Sequence, residues 1–302
     1  MIKNIDFSSK FKRANILSIF VFLISIFFIA FKGLNYGIDF KGGTLIELRA
    51  DNHNTNISEI RSSLNSLNLG DINVKEFGNQ GDYLIKVEQK TENDNNLIPK
   101  IKKKLVENLN SEISFRRVEN VGPKVSSELL ESGIIAITLS LLAMLFYIWI
   151  RFEWQFSIGS IVALFHDVII TIGIFSILSF EINLSIIAAV LTIVGYSMND
   201  TVVIYDRIRE NLNKFNKLSI SDISNLSINE TLSRTIITSI TTLLALFSIY
   251  ILGGEILRGF SFAMILGVLI GTYSSIFVAA PVLKFFKVSY KTLEKKEEKI
   301  VP

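Results

Sequence analysis

The sequence predicts a polytopic α-helical membrane protein with six transmembrane helices. One folded α+β domain is inserted between the first and the second. Three observations carry this. Apolar residues make up 49% of the 302 residues and gather into six long blocks. The polar stretch 32–132 separates block one from block two. Lys and Arg crowd the ends of the blocks on one side only, the pattern of cytoplasmic loops.

A spanning helix needs roughly 20 mostly apolar residues. The first block is 14–31 (ANILSIFVFLISIFFIAF), and the others are 133–150, 156–180, 182–205, 235–252 and 260–285. No small-residue cleavage site follows the first, so it reads as a retained span. Lys3, Lys10, Lys12 and Arg13 precede span one, and Arg151 sits between spans two and three. Arg207, Arg209, Lys214, Lys217 and Arg234 fill the loop after span four, and Lys284, Lys287, Lys291, Lys295, Lys296 and Lys299 the tail. The opposite short loops carry Glu181 and Asn183, and residues 253–258. Both termini are therefore expected in the cytoplasm. The organisation is a cytoplasmic N-terminus (1–13), span one (14–31), a periplasmic domain (32–132), a five-helix membrane portion (133–285) and a basic cytoplasmic tail (286–302).

Within the external domain, Gly43–Ala50 alternates as a strand. Ile57–Leu67 is apolar at Ile57, Ile60, Leu64 and Leu67, a helical period, with Asn56 and Ser58 as caps. Ile72–Phe77 and Tyr83–Val87 read as strands with 78–82 as the turn between them. Leu97–Leu109 repeats apolar residues at Ile98, Ile101, Leu105 and Leu109, and Ile113–Val121 is a last strand. The order βαββαβ is the split ferredoxin-like arrangement. Its mixed charges suit a solvated lever or binding module.

Composition excludes several classes. The mean hydropathy is +0.44. There is no cysteine, so no disulfide, thiolate or Cys-based metal chemistry. The two histidines, His53 and His166, lie far apart, which argues against a metal cage. The net charge of +3 does not suggest nucleic-acid binding. No Gly-rich Lys loop points to nucleotide hydrolysis. Neither a cofactor nor an enzymatic activity is expected.

The informative residues are polar groups inside the spans, which are functional candidates by default. At 1.5 Å per residue, His166 and Asp167 lie roughly 16 Å into span three, and Asp200 roughly 27 Å into span four. Arg234 opens span five at a depth similar to Asp200, and the two can pair. Moving a guanidinium beside a buried carboxyl changes whether it holds a proton. The competing reading is a static ion pair that orients two helices. His166 and Asp167 read either as a packing hydrogen bond or as relay groups, as do Asn199, Thr238 and Thr242. Gly195, in the run Gly195–Thr201, and the pair Gly267 and Gly271 (GVLIG) read as close-packing positions.

Several stretches carry a resemblance: GIDFKGG (Gly37, Asp39, Gly42 and Gly43), Val121-Gly122-Pro123, Arg151-Phe152-Glu153, His166-Asp167, VGYSMNDTVVIYDRIREN, Arg234 to Thr242, and LRGFSFAMILGVLIGTYSSI. In this order they resemble the SecD/SecF family, part of the resistance-nodulation-division superfamily of proton-driven membrane proteins. The resemblance implies a multi-pass protein of the bacterial inner membrane that acts in protein translocation. It implies proton passage at Asp200 and Arg234, and use of the proton-motive force to help a preprotein leave the Sec translocon on the periplasmic side. The implied partners are a separate SecD chain supplying the other six of twelve spans, the SecYEG channel, YajC, YidC, the preprotein and membrane lipid. A scaffold or assembly factor without proton chemistry is the alternative, and a half-size exporter of small molecules ranks below it.

Overall fold

The structure is a computed structural model that describes residues 5–50, 56–67, 72–76, 80–87, 97–109, 113–215 and 217–297. The chain divides into two compact units. One comprises residues 35–135 and 181–184; the other comprises the remaining residues on either side of them.

The first unit opens with the two-residue strand β1 (Asn35–Tyr36) and the single helical turn α2 (Ile38–Lys41). Next come β2 (Gly43–Ala50), α3 (Ile57–Asn65), β3 (Ile72–Glu76), β4 (Asp82–Val87), α4 (Leu97–Leu109) and β5 (Ile113–Val121). The sheet runs in the order β3-β4-β2-β5 and every neighbouring pair is antiparallel. The alternating residues Ile46, Leu48, Ala50, Val74, Tyr83, Ile85 and Val87 meet Ile60 and Leu64 of α3 and Ile101, Leu105 and Leu109 of α4. Period two on the strands and period 3.6 on the helices thus converge on one core. The Asn56 side chain caps α3 by accepting from the Ser58 N–H (3.3 Å). The expected turn 78–82 begins outside the described residues.

On the face away from the helices, Arg49 and Arg116 bond Asp82. Arg117 pairs with Glu47 (3.2 Å) and with Glu119.

The second unit is helical. A 3₁₀ turn (Ser8–Lys10) leads into α1 (Phe11–Phe31). The long helices are α5 (Pro123–Arg151) and α7 (Leu184–Lys214), whose residues 123–135 and 184 belong to the first unit, with α6 (Trp154–Leu178), α8 (Ile220–Leu252) and α9 (Gly254–Ser274). A π-helical segment (Ser275–Ala279) joins α9 to α10 (Ala280–Phe285), and α11 (Tyr290–Glu297) follows. Among the described residues six helical stretches are long and apolar enough to cross a membrane. α1 buries Phe11, Ser18 and Ser25, one residue every seventh position, and leaves Ile16, Leu17, Phe20 and Leu23 exposed. That is a narrow packing seam on a helix otherwise suited to lipid.

α7 and α8 run beyond the apolar blocks that predict them. Their polar extensions stay helical because each satisfies the other. Arg207 bonds Glu230 (2.7 Å), and Asn211 bonds both Ser227 (2.9 Å) and Glu230 (2.6 Å). The turn between α5 and α6 joins the same end through Arg209–Glu153 (3.2 Å) and Arg151–Asp206 (2.9 Å). The segment before α1 straps onto α8. Asn229 accepts from the Ile5 N–H (2.9 Å) and Asn225 from the Phe7 N–H (2.7 Å).

Candidate functional site

The GxxxG pair of α9 brings the polar groups of three helices together. A Cβ at Gly267 would collide with Ile193 of α7, and one at Gly271 would stand 3.1 Å from the Ser197 Cβ. Two glycines one turn apart thus let α9 lie against α7 at Ile193 and Ser197. The Ser197 hydroxyl then reaches Asp167 of α6.

Asp167 is fully buried, and each of its oxygens is engaged. Oδ2 accepts from the Ser197 hydroxyl (2.5 Å) and the Ser274 hydroxyl (2.7 Å). Oδ1 lies 2.9 Å from His166 Nδ1. The His166 ring is nearly parallel to Phe22 (6.4 Å, 5°) and 24° from the plane of Tyr273, while its Nε2 is buried without a partner. Tyr273 in turn donates to the Ala14 carbonyl (2.9 Å) and accepts from Ser18 (3.0 Å). One carboxylate therefore draws α6, α7 and α9 together. Where lipid offers no water, its hydroxyl partners substitute for solvation.

Asp200 stands one turn further along α7 than Ser197 and is treated differently. It is 4% exposed, and its Oδ2 has no hydrogen-bond partner. The polar groups acting on it are the Thr272 side chain and, through space, Arg234. Thr272 is itself bonded to Ser239 of α8 (2.8 Å). A chain of polar groups thus links α7, α9 and α8.

The direct Asp200–Arg234 pair expected from depth is not formed among the described residues. Asp200 turns into the bundle toward α9, whereas Arg234 lies on the exposed side of α8. Similar depth on two helices does not set their rotation about their axes. Four further expected residues also lie off the bundle interior. Gly195 has open space where a Cβ would stand, so it makes no close packing within this chain. Asn199 is exposed. Thr238 bonds back to the Arg234 carbonyl (3.1 Å), and Thr242 is half-buried.

Other hydroxyls complete the interior. Thr201 bonds Ser275 (2.9 Å) at the start of the π-helical segment. Tyr205 donates to the carbonyl of Ala279, the last residue of that segment (2.9 Å). Along the sequence Ser197, Thr272 and Ser274 are only small polar residues within apolar spans. Their link to two particular carboxyls required the helix packing. Among the described residues no cluster of His, Asp and Glu could hold a metal ion.

The motif Gly37–Gly43 lies in the other unit, where it forms α2 and the turn into β2. Gly42 and Gly43 have φ of +79° and +137°, conformations L residues rarely adopt. A Cβ at Gly42 would stand 3.3 Å from Pro123 Cα, so the motif and the opening of α5 require each other's shape.

Comparison with known proteins places this arrangement. Residues 101–289 match the family described as "Protein export membrane protein SecD/SecF, C-terminal", and residues 27–52 match the "SecD/SecF GG Motif". Protein translocase subunit SecF of Rickettsia rickettsii is 46% identical over 294 residues, 96% of this chain and 95% of the relative. That of Rickettsia bellii is 47% identical over 283 residues, 93% of each. A solved structure of SecDF, a translocon-associated membrane protein from Thermus thermophilus, superposes with a TM-score of 0.85 at 34% identity over 95% of this chain. A SecDF in a super-membrane-facing form gives 0.71 at 32% identity over 99%. The chain spans about two fifths of those two structures' own length, 39% and 40%. With a family match over more than half its residues and near-full-length translocase-subunit relatives, this chain belongs to the SecD/SecF family of protein-export membrane proteins.

Proposed function

We propose that this chain is the proton-driven half of a protein-export unit whose other half is a SecD chain. The observation that carries it is Asp200, a buried carboxyl with an unpartnered oxygen on a membrane-spanning helix, in a chain of this family. A carboxyl held out of water without a full set of partners gains most from taking up a proton. Arg234 of α8 supplies a permanent positive charge. A change in the separation of α7 and α8 then switches Asp200 between its two states.

The partner reading rests on exposed polar faces. Ala188, Thr192, Gly195 and Asn199 share one exposed face of α7, and Arg234, Thr241, Ala245 and Ser248 one exposed face of α8. Small and charged residues in a spanning segment suit another helix and not lipid. The SecDF structures, more than twice the length of this chain, support a SecD chain as the occupant. The order βαββαβ with sheet order β3-β4-β2-β5 supports a ferredoxin-like periplasmic module that acts on the emerging preprotein. The basic ends of the spans support cytoplasmic termini in the bacterial inner membrane, with SecYEG, YajC and YidC as neighbours of the complex. No catalytic bond-making is assigned to the chain.

The test is Asp200→Asn in cells depleted of the native chain. The variant is expected to accumulate and co-purify with its partner while proton-dependent export fails. Full export by that variant would sink the reading. The fully engaged Asp167 network favours a second reading, a scaffold without proton chemistry. That reading expects Asp200→Asn with Arg234→Gln to export normally.

A further inference from the structure

Proton coupling leaves the motif Gly37–Gly43 without a role. Its surroundings give it one. β1 pairs in parallel with β6 (Glu181–Ile182), the short strand that immediately precedes α7. The Gly37 N–H donates to the Ile182 carbonyl (2.9 Å), and a Cβ at Gly37 would come within 3.4 Å of the Asn183 Cβ. Asp39 Oδ2 accepts from the N–H of Leu184, the first residue of α7 (2.9 Å). The opening N–H groups of a helix lack intrahelical partners, and a carboxylate there also meets the positive end of the helix dipole. The motif, distant in sequence, therefore contributes a cap to α7.

A second fastening lies beside the first. Glu181 pairs with Lys86 of β4 and stands 3.8 Å from Lys75 of β3. The motif is itself anchored. Ile38 and Phe40 are buried, and Ser126 of α5 donates to the Ile38 carbonyl (3.4 Å). Residues 181–184 are thus held by the sheet and by the motif together.

We propose that Asp39 is a positioning residue that clamps the 181–184 segment to the α+β unit. Together with the Lys86–Glu181 pair it fixes the first residue of α7 to the sheet. α7 also carries Asp200, so the clamped segment and the proton site lie on one continuous helix. This deepens the export reading and rests on it.

Asp39→Ala is expected to accumulate and to bind its partner normally. Its amide exchange at 184–187 is expected to rise and its export to fall about tenfold, the range of a lost coupling energy. Asp39→Asn keeps an oxygen for the Leu184 N–H and is expected to restore most of both. Unchanged exchange and export in Asp39→Ala would overturn the proposal. If Asp39→Ala fails to accumulate, a charge swap decides. Lys86→Glu and Glu181→Lys are each expected to lower export and the double variant to recover it, and no recovery counts against the clamp.

The chain has no cysteine, so a lock can be introduced cleanly. Tyr36→Cys with Ile182→Cys joins register partners of the ladder. Oxidation of that pair in the assembled complex is expected to leave export intact. Arrest that a reductant reverses would show that the clamp must open, and would end the proposal. Amide exchange needs no transport. Normal export by Asp200→Asn, alongside raised exchange in Asp39→Ala, would therefore reject the export reading and keep the clamp.

Discussion

Asp167 and Asp200 are both buried carboxyls at membrane depth, yet the protein surrounds them in opposite ways. Asp167 receives two hydroxyls from two other helices and faces the neighbouring histidine. Asp200 keeps one oxygen unpartnered, and its arginine stays at a distance on the exposed side of α8. A saturated carboxyl holds helices together, because every donor aimed at it would be orphaned by its loss. An unsaturated one holds little and is free to change state. On the function proposed above, the contrast assigns proton coupling to Asp200 and helix packing to Asp167.

The largest effect expected from that contrast is on activity. Asp200→Asn should lower proton-dependent export about a hundredfold, the scale of losing an acid–base group. Its level and melting temperature in detergent should match the parent. Loss of the folded protein instead would mean that both carboxyls are structural. Asp167→Ala should do the reverse. Removing the acceptor leaves Ser197 and His166 unpaired in the interior and should cost about 3–5 kcal/mol. Poor accumulation and a lower melting temperature are the readouts.

Smaller changes sharpen the same comparison. Ser274→Ala takes one donor from Asp167 and should cost about 1–3 kcal/mol, read by thermal unfolding in detergent. Gly271→Ala presses a methyl to 3.1 Å from the Ser197 Cβ. Pushing α9 off α7 in this way should cost about 1–3 kcal/mol and stretch the Ser197–Asp167 bond. No change in melting temperature would show that the two helices can separate there freely.

The smallest effect concerns a carboxyl in water. Asp6 is bonded by the backbone N–H of Ser9 (3.1 Å) and by the Ser8 hydroxyl (2.9 Å), which hold it below the usual carboxylate range. A carboxyl depressed by folding adds stability above its unfolded value, and that stability is lost as pH falls through the lower folded value. Acid should therefore loosen the turn before α1. Asp6→Asn should remove that pH dependence, followed by amide exchange at residues 8–10. The cost should be slight, because water replaces the serines.

Much of this was legible in the residues. Six apolar blocks gave the spanning helices, since length and hydropathy alone decide whether a segment can cross. The periodicities of Gly43–Ala50, Leu97–Leu109 and Ile113–Val121 located their elements to within a residue or two. The short elements β1, α2 and β6 were not legible, because two to four residues carry no period. The extensions of α7 and α8 were missed for another reason. Hydropathy ends with the apolar block, whereas Arg207, Asn211, Ser227 and Glu230 continue the helices by satisfying one another.

By itself the sequence determined which residues are costly to bury, namely His166, Asp167, Asp200 and Arg234, and which glycines permit close approach. Those are properties of side-chain chemistry and spacing along one chain. Only the tertiary structure decided that Asp167 is saturated, that Asp200 is not, that Arg234 faces outward, that Gly195 packs against nothing in this chain, and that Asp39 caps a helix 145 residues away. Partnership depends on the rotation of each helix about its axis and on which helix it meets, and neither is encoded within a single span.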